Sequence, residues 1–230
     1  MTEKSILVVA AHPDDEILGC AGRIAKHVDD GDVVHVLILA EGATARSSGR
    51  NTESLSSLLE DLRQAARNAA DCLGVKSLSF AGYADNRMDG LDLLDVVKVV
   101  EARIEEVDPE IIYTHHGGDL NVDHQITHQA VLTASRPLPG ARVRTVMVFE
   151  TLSSTEWASP TSESFQPNIF VNISKQWVRK RQAIEAYDTE MRAFPHPRSE
   201  QALESLAKLR GSTCGCEMAE AFMLIRQVID

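Results

Sequence analysis

The chain has little cysteine and a shortage of positive charge, and it contains no long apolar run. Its four cysteines (Cys20, Cys72, Cys214 and Cys216) are too few and too scattered for a disulfide framework. Against 34 Asp and Glu stand only 23 Lys and Arg, a formal charge of −11. That balance argues against a nucleic-acid backbone or an anionic membrane surface as partner. No apolar stretch approaches the roughly 18–20 residues that a membrane-spanning helix needs. Met1–Lys4 lacks a basic n-region, and neither a long apolar h-region nor a small-residue cleavage site follows, so we expect no signal peptide and a cytoplasmic location. Internal repeats and low-complexity tracts are missing too. Gly19, Gly22 and Gly31 do not form G-x-G-x-x-G after the first apolar run, which disfavours a dinucleotide site.

What is present is an alternation. Ile6–Ala11, Val33–Ala40, Leu78–Phe80, Ile111–Thr114 and Val143–Phe149 are short runs rich in Val and Ile that read as strands. Between them apolar residues recur at helical spacing: Leu18, Ala21, Ala25 and Val28; then Leu58, Leu62, Ala65, Ala66, Ala69 and Leu73; then Val96, Val97, Val100, Ile104 and Val107. His124–Ser135 reads as a fourth helix. Strand–helix alternation implies parallel pairing with right-handed crossovers, hence an α/β, Rossmann-like three-layer sandwich with a mostly parallel sheet. At 230 residues, with 43% hydrophobic content, one domain is expected. Residues 1–150 would form its core, and 151–230 an extension completing the pocket. In that extension Ser153–Ser164 reads as a loop and Ile169–Ile173 as a strand. Trp177–Met191 and Ser199–Arg210 read as helices, and Ala221–Val228 as a closing apolar segment.

The first strand runs into Ala11-His12-Pro13-Asp14-Asp15-Glu16. A histidine and carboxylates thus sit at a strand's C-terminal end, where open α/β sheets bind ligands. Acidic residues alone would be explained by the positive end of the following helix, but the histidine would not. A catalytic zinc site needs about three protein ligands and an open position. His12 and Asp15, three apart across a turn stiffened by Pro13, can converge on one ion. Asp14 is then left beside the ion, placed as a base for metal-bound water.

A third ligand should come from a neighbouring strand end. The segment Thr114–His124 follows a predicted strand, has the glycines of a loop and ends at a helix start. His124 is the candidate ligand there, and Asp123 a carboxylate that orients a neighbouring group. His128 lies four residues on, but Gln125 replaces the Glu of H-E-x-x-H, so His128 reads as a packing residue.

With these two segments the chain resembles the PIG-L/LmbE-like zinc-dependent N-deacetylases. Ala11–Glu16 fits the family's AHPDDE motif without a mismatch, and Asn121-Val122-Asp123-His124 fits its HxDH-type motif. Phe149-Glu150, Phe194–Ser199 and Ala219–Phe222 resemble members associated with sugar and glycan metabolism. The resemblance implies that His12, Asp15 and His124 are zinc ligands and Asp14 the general base. It implies Zn2+ as cofactor, with Fe2+ or Co2+ as substitutes, since His/Asp/His ligation does not exclude other divalent ions. The family commonly has an oxyanion-stabilising histidine where this chain has Asn121, which can donate a hydrogen bond but carries no charge. His116, His196 and Arg198 are candidate replacements. Arg46 and Arg87, in loops after the second and third strands, are further candidate substrate contacts.

The implied activity is hydrolysis of the N-acetyl amide of a small-molecule amino sugar or sugar conjugate. The alternatives are a metal-dependent amidase acting on a thiol-sugar conjugate or small peptide, and a non-catalytic sugar- or metal-binding protein. A homo-oligomer is expected.

Overall fold

In a computed structural model, residues 3–43 and 52–229 are described. The chain alternates β1 (Ser5–Ala10), α1 (Asp15–Asp29), β2 (Val33–Ala40), α2 (Thr52–Leu73), β3 (Ser77–Tyr83), α3 (Leu93–Val107), β4 (Ile111–His115), α4 (Val122–Ala134) and β5 (Thr145–Phe149). After these come β6 (Ile169–Asn172), α5 (Trp177–Glu185), α6 (Glu200–Cys214) and β7 (Ala219–Gln227). Seven strands pair in the order β3-β2-β1-β4-β5-β7-β6. The first five are parallel, and β7 runs antiparallel to both β5 and β6.

Side-chain alternation along β1 explains the three layers. Ile6 and Val8 face one way, into a core shared with Ile17, Leu18 and Ile24 of α1 and Leu62, Ala66 and Leu73 of α2. Leu7 and Val9 face the other way, against Val96, Val97 and Val100 of α3 and Ala130 and Val131 of α4. Both faces are covered, which is why these strands are apolar throughout rather than alternating. β1 pairs with β2 on one side and β4 on the other, so the winding reverses between β1 and β4. The crevice beyond that reversal is where such sheets hold ligands. Among the described residues no helix is long and apolar enough to cross a membrane.

The extension differs from expectation at one helix. The pattern over Trp177–Met191 is helical only to Glu185, and residues 188–190 form a separate 3-10 turn. Between them Tyr187 turns inward to 1% exposure, and its hydroxyl donates to Glu16 Oε1 at 2.7 Å. That single inward turn breaks the helix.

The extension also stabilises a kink in α1. Cys20 leaves helical geometry (φ −148°, ψ 21°), freeing backbone groups on both sides. Lys180 Nζ donates to the Leu18 carbonyl at 3.0 Å, while Glu220 accepts from the amides of Gly22 (2.8 Å) and Arg23 (2.6 Å). Lys180 and Glu220 are themselves paired at 2.7 Å and buried. These three backbone groups therefore have partners.

A chain of hydrogen bonds ties α1 to β4. Arg23 Nε donates to the Tyr113 hydroxyl at 2.8 Å, the hydroxyl donates to His27 Nε2 at 3.0 Å, and His27 Nδ1 donates to Asp32 at 2.7 Å. Burial, aided by Arg23, lowers the His27 pKa to about 4. The native state thus holds His27 neutral, whereas the unfolded chain protonates it near pH 6.5. Stability from this group is complete above that value and is lost as pH falls toward about 4. Urea unfolding should show the wild type losing about 1–2 kcal/mol more than His27→Gln between about pH 7.5 and about pH 5. Parallel profiles would show that His27 is not held neutral.

Candidate metal centre

The turn after β1 is built by its own side chains. Ala11 N donates to His115 Nε2 at 2.9 Å, and His12 N donates to Asp15 Oδ2 at 2.8 Å. Pro13 has no amide to satisfy. Asp14 sits at φ 101°, a left-handed conformation that is strained for a residue with a Cβ, and its amide donates to Glu16 Oε2 at 3.2 Å. Glu16, held by Tyr187, is therefore a staple for the turn. Burial raises its pKa to about 8. Gly42 at φ 78° lets the loop after β2 pass, since a Cβ there would lie 2.8 Å from Pro13 Cδ.

Two groups of metal-capable side chains occur among the described residues, and His12 belongs to both. On its Nδ1 side, Asp15 Oδ2 lies at 3.2 Å, and His124 Nε2 is 3.1 Å from that same oxygen. On its Nε2 side are Asp123 Oδ2 at 2.9 Å and Asp85 Oδ1 at 3.3 Å. Hydrogen bonding separates the two. Asp123 is saturated: it accepts from His12 Nε2 and from the amides of Asn86 (2.7 Å) and Met88 (3.0 Å). Asp15 Oδ1, by contrast, is buried with no hydrogen-bond partner, and the buried ring nitrogens of His124 face only carboxylate oxygens, Asp15 Oδ2 and Asp119 Oδ1, without a well-directed hydrogen bond to either. Native proteins seldom leave such atoms unmet. His12, Asp15 and His124 therefore fit a cation. Asp123 holds the proton of His12 on Nε2 and leaves the Nδ1 lone pair facing Asp15.

Charge supports the same reading. Burial opposes protonation of His12, yet Asp123, Asp15 and Asp85 outweigh it and raise its pKa to about 10. Burial likewise opposes charge on His124, but Asp15 and Asp119 raise it to about 9. The same burial works against the Asp15 carboxylate, which His124 and His12 nevertheless hold well below its ordinary range. Without a cation, this pocket draws protons to supply the positive charge that its carboxylates require.

A cleft opens beside these groups, lined by His12, Pro13, Asp14, Gly42, Asp85, Asn86, Asn121, Glu190 and Arg198. Burial raises the Asp14 pKa to about 7 against the pull of Arg198, whose Nη1 donates to Asp14 Oδ2 at 2.6 Å. Asn121 is the N-cap of α4. Its Oδ1 accepts from Asp123 N at 2.8 Å, which turns its amide nitrogen to other use.

The structure thus brings His12, Asp14, Asp15, Asn121, Asp123, His124 and Arg198 together. Three other candidates lie apart. His116 donates through Nε2 to the Glu163 carbonyl at 2.7 Å and packs on Phe165, so the 163–165 segment occupies it. Arg87 is exposed at the start of a short 3-10 turn and does not line the cleft, although its neighbours Asp85 and Asn86 do. His196 lines an adjoining pocket with Arg198. Arg46 lies outside the described residues. His128 packs as expected, donating to the His115 carbonyl at 2.9 Å.

Two residues escape sequence reading. His115 stacks on His124 with ring centroids 3.9 Å apart, and burial with neighbouring His124 holds it neutral. Asp119 places Oδ1 3.1 Å from His124 Nδ1 while accepting from the Thr155 hydroxyl at 2.6 Å and the Asn121 backbone N–H at 2.9 Å. The rule that a ligand histidine takes a carboxylate on its other nitrogen points to Asp119 once His124 is chosen.

Comparison with known proteins places this geometry. The family model described as PIG-L: GlcNAc-PI de-N-acetylase matches residues 7–135, more than half of the chain and all of the ligand candidates. An uncharacterized deacetylase, YaiS, of Escherichia coli (strain K12) is 29% identical over 179 residues, 76% of this chain and 84% of its own. A probable N-acetyl-alpha-D-glucosaminyl L-malate deacetylase 2 of Bacillus cereus is 27% identical over 196 residues, covering 84% and 86%. A 4-oxalmesaconate hydratase of Pseudomonas putida is 29% identical over 194 residues, covering 80% and 72%. Among solved structures, N,N'-diacetylchitobiose deacetylase from Pyrococcus horikoshii superposes with a TM-score of 0.79 at 19% identity, over 97% of this chain and 84% of that one, and so shares the fold. The chain belongs to the PIG-L (GlcNAc-PI de-N-acetylase) family of amide hydrolases.

Proposed function

We propose that this chain is a zinc-dependent N-deacetylase that hydrolyses the N-acetyl amide of an amino sugar or sugar conjugate. One observation carries the reading. Buried side chains of His12, Asp15 and His124 converge, with Asp15 Oδ1 left without a hydrogen bond, directly beside Asp14, a carboxylate that faces the cleft instead. The relatives named as deacetylases of N-acetylated sugars support the substrate class.

His12, Asp15 and His124 would hold the ion. When bound, zinc supplies Lewis acidity, polarising a carbonyl and lowering the pKa of water from ~15.7 toward about 7. Asp14, its pKa raised to about 7 by burial despite the adjacent Arg198, is poised near neutrality to accept the proton of the attacking water. As the acetyl C–N bond breaks, Asp14 returns that proton to the amine nitrogen, and acetate and a free amino sugar leave. The developing charge on the acetyl oxygen meets the Asn121 amide and the Arg198 guanidinium, the donors that line the cleft. Arg198 thereby supplies the positive charge that Asn121 lacks.

Two substitutions separate these roles. Asp14→Asn should keep its metal content by plasma mass spectrometry while acetate release falls about 10²–10⁴-fold. Retention of turnover would remove Asp14 as the base. Asn121→Ser should keep the α4 cap, and hence the melting temperature, while kcat falls about 10²–10³-fold. Full activity in this variant would leave Arg198 as sufficient donor. Because one relative is named a hydratase, the substrate panel should include an unsaturated carboxylic acid beside N-acetyl sugars and thiol-sugar amides. Hydration without acetate release would overturn the proposal.

A further inference from the structure

Away from the metal centre, two nucleophilic side chains meet at the junction of α6 and β7. Cys214 is the last residue of α6, Cys216 lies just before β7, and Gly215 separates them. Both are free thiols, and their sulfurs stand 3.4 Å apart. On a continuing helix, side chains two positions apart do not face each other. Gly215 removes that obstacle. At φ 80° and ψ 30° it ends the helix in the left-handed region, which a Cβ would strain, and turns Cys216 back toward the last turn of α6.

The reversal is held from both sides. The Cys216 backbone N–H donates to the Gly211 carbonyl at 3.0 Å. The carbonyls of Cys216 and Glu217 press closely on Gly211, where a Cβ would lie 2.7 Å from each oxygen. Met218 N donates to the Ser174 hydroxyl at 3.2 Å and anchors the far end. Each thiol also has a backbone acceptor: the Gly211 carbonyl at 3.5 Å for Cys214, and the Met218 carbonyl at 3.4 Å for Cys216. The helix cap therefore keeps the two sulfurs in contact.

Two thiols so placed can give up two electrons together. Their separation is about 1.4 Å longer than the ~2.05 Å of a disulfide bond. Cys214 is exposed and Cys216 partly covered, so a reagent from solvent meets Cys214 first. We infer that Cys214 and Cys216 form a thiol–disulfide exchange site, which closes reversibly to an intramolecular bridge by reducing a small-molecule disulfide. The Cys214 thiolate attacks one sulfur of that molecule, its S–S bond breaks, and the departing thiolate takes up the proton that Cys214 lost. The Cys216 thiolate then attacks the Cys214 sulfur, the mixed disulfide breaks, and a second thiol leaves with the Cys216 proton. Two electrons and two protons pass from the protein to the small disulfide, which becomes two thiols. The closing step joins sulfurs already in contact, which favours the bridge over a lasting adduct. An exposed bridge is also readily reduced again, which suits a reversible site better than a structural staple. Neither cysteine lines the metal cleft, and the inference stands independently of the deacetylase reading.

The test incubates the native full chain with oxidised and reduced glutathione, then quenches with acid, alkylates with a maleimide and digests with trypsin. Cleavage after Arg210 and Arg226 leaves both sulfurs on one peptide, 211–226. Mass spectrometry should find this peptide lighter by two hydrogens and free of alkyl groups, and prior dithiothreitol should restore both alkylations. The ratio of bridged to glutathionylated peptide should be about tenfold higher in the native chain than in the urea-unfolded chain. Equal ratios overturn the site, as does a native peptide alkylated at both sulfurs or carrying glutathione without a bridge. Cys216→Ser removes the closing sulfur and should accumulate glutathione on Cys214. If Cys214 stays unmodified in that variant, it is not the entering thiol and the proposed sequence of attack is overturned.

Discussion

Asp15 is fully buried, and one of its carboxylate oxygens has no hydrogen-bond partner. An ionised carboxylate in that position costs several kcal/mol unless positive charge meets it. The rest of the site answers this requirement. His12 meets Asp15 from the same turn and His124 meets it from the loop after β4, and both imidazoles are drawn toward the protonated form. A divalent cation satisfies the same demand with three ligands already in place. The reversal of winding between β1 and β4 makes the meeting possible, because it opens the sheet where those two strand ends lie side by side.

The two halves of the chain contribute differently. The parallel half supplies every proposed ligand and the base. The extension supplies what holds them: Tyr187 secures Glu16 under the strained Asp14, Arg198 pairs with Asp14, and Lys180 and Glu220 stabilise the kink of α1. It also carries Ser154 and Thr155, whose hydroxyls donate to Asp119. The turn after β5 and the loop after β4 are thus linked through shared hydrogen bonds. A change in the 151–198 segment should be felt at the metal-facing residues without touching them.

Much of this was legible in the sequence because it is local. Hydrophobic periodicity marked the strands and helices of the first half, and their alternation gave the parallel sheet. The spacing within Ala11–Glu16 and Asn121–His124 gave the candidate ligands and base. What was not legible arises between distant segments. Nothing near Tyr187 announces that its hydroxyl will reach Glu16, so the helix through 177–191 was expected to continue. His116 has the composition of a site residue, yet the Glu163 carbonyl occupies it. Asp119 looks like an ordinary loop residue until the fold lays the 151–157 turn across the loop after β4. Arg87 and Asp85 sit two positions apart, and only the backbone decides that the carboxylate faces the cleft while the guanidinium stays in solvent.

X-ray absorption at the zinc edge, on protein loaded with one equivalent of zinc, tests the central claim most directly. The account expects only nitrogen and oxygen neighbours at about 2.0–2.1 Å, with two imidazoles among them that drop to one in His124→Ala. Sulfur at about 2.3 Å, implicating Cys214 and Cys216, or an imidazole count unchanged by the substitution, would contradict it.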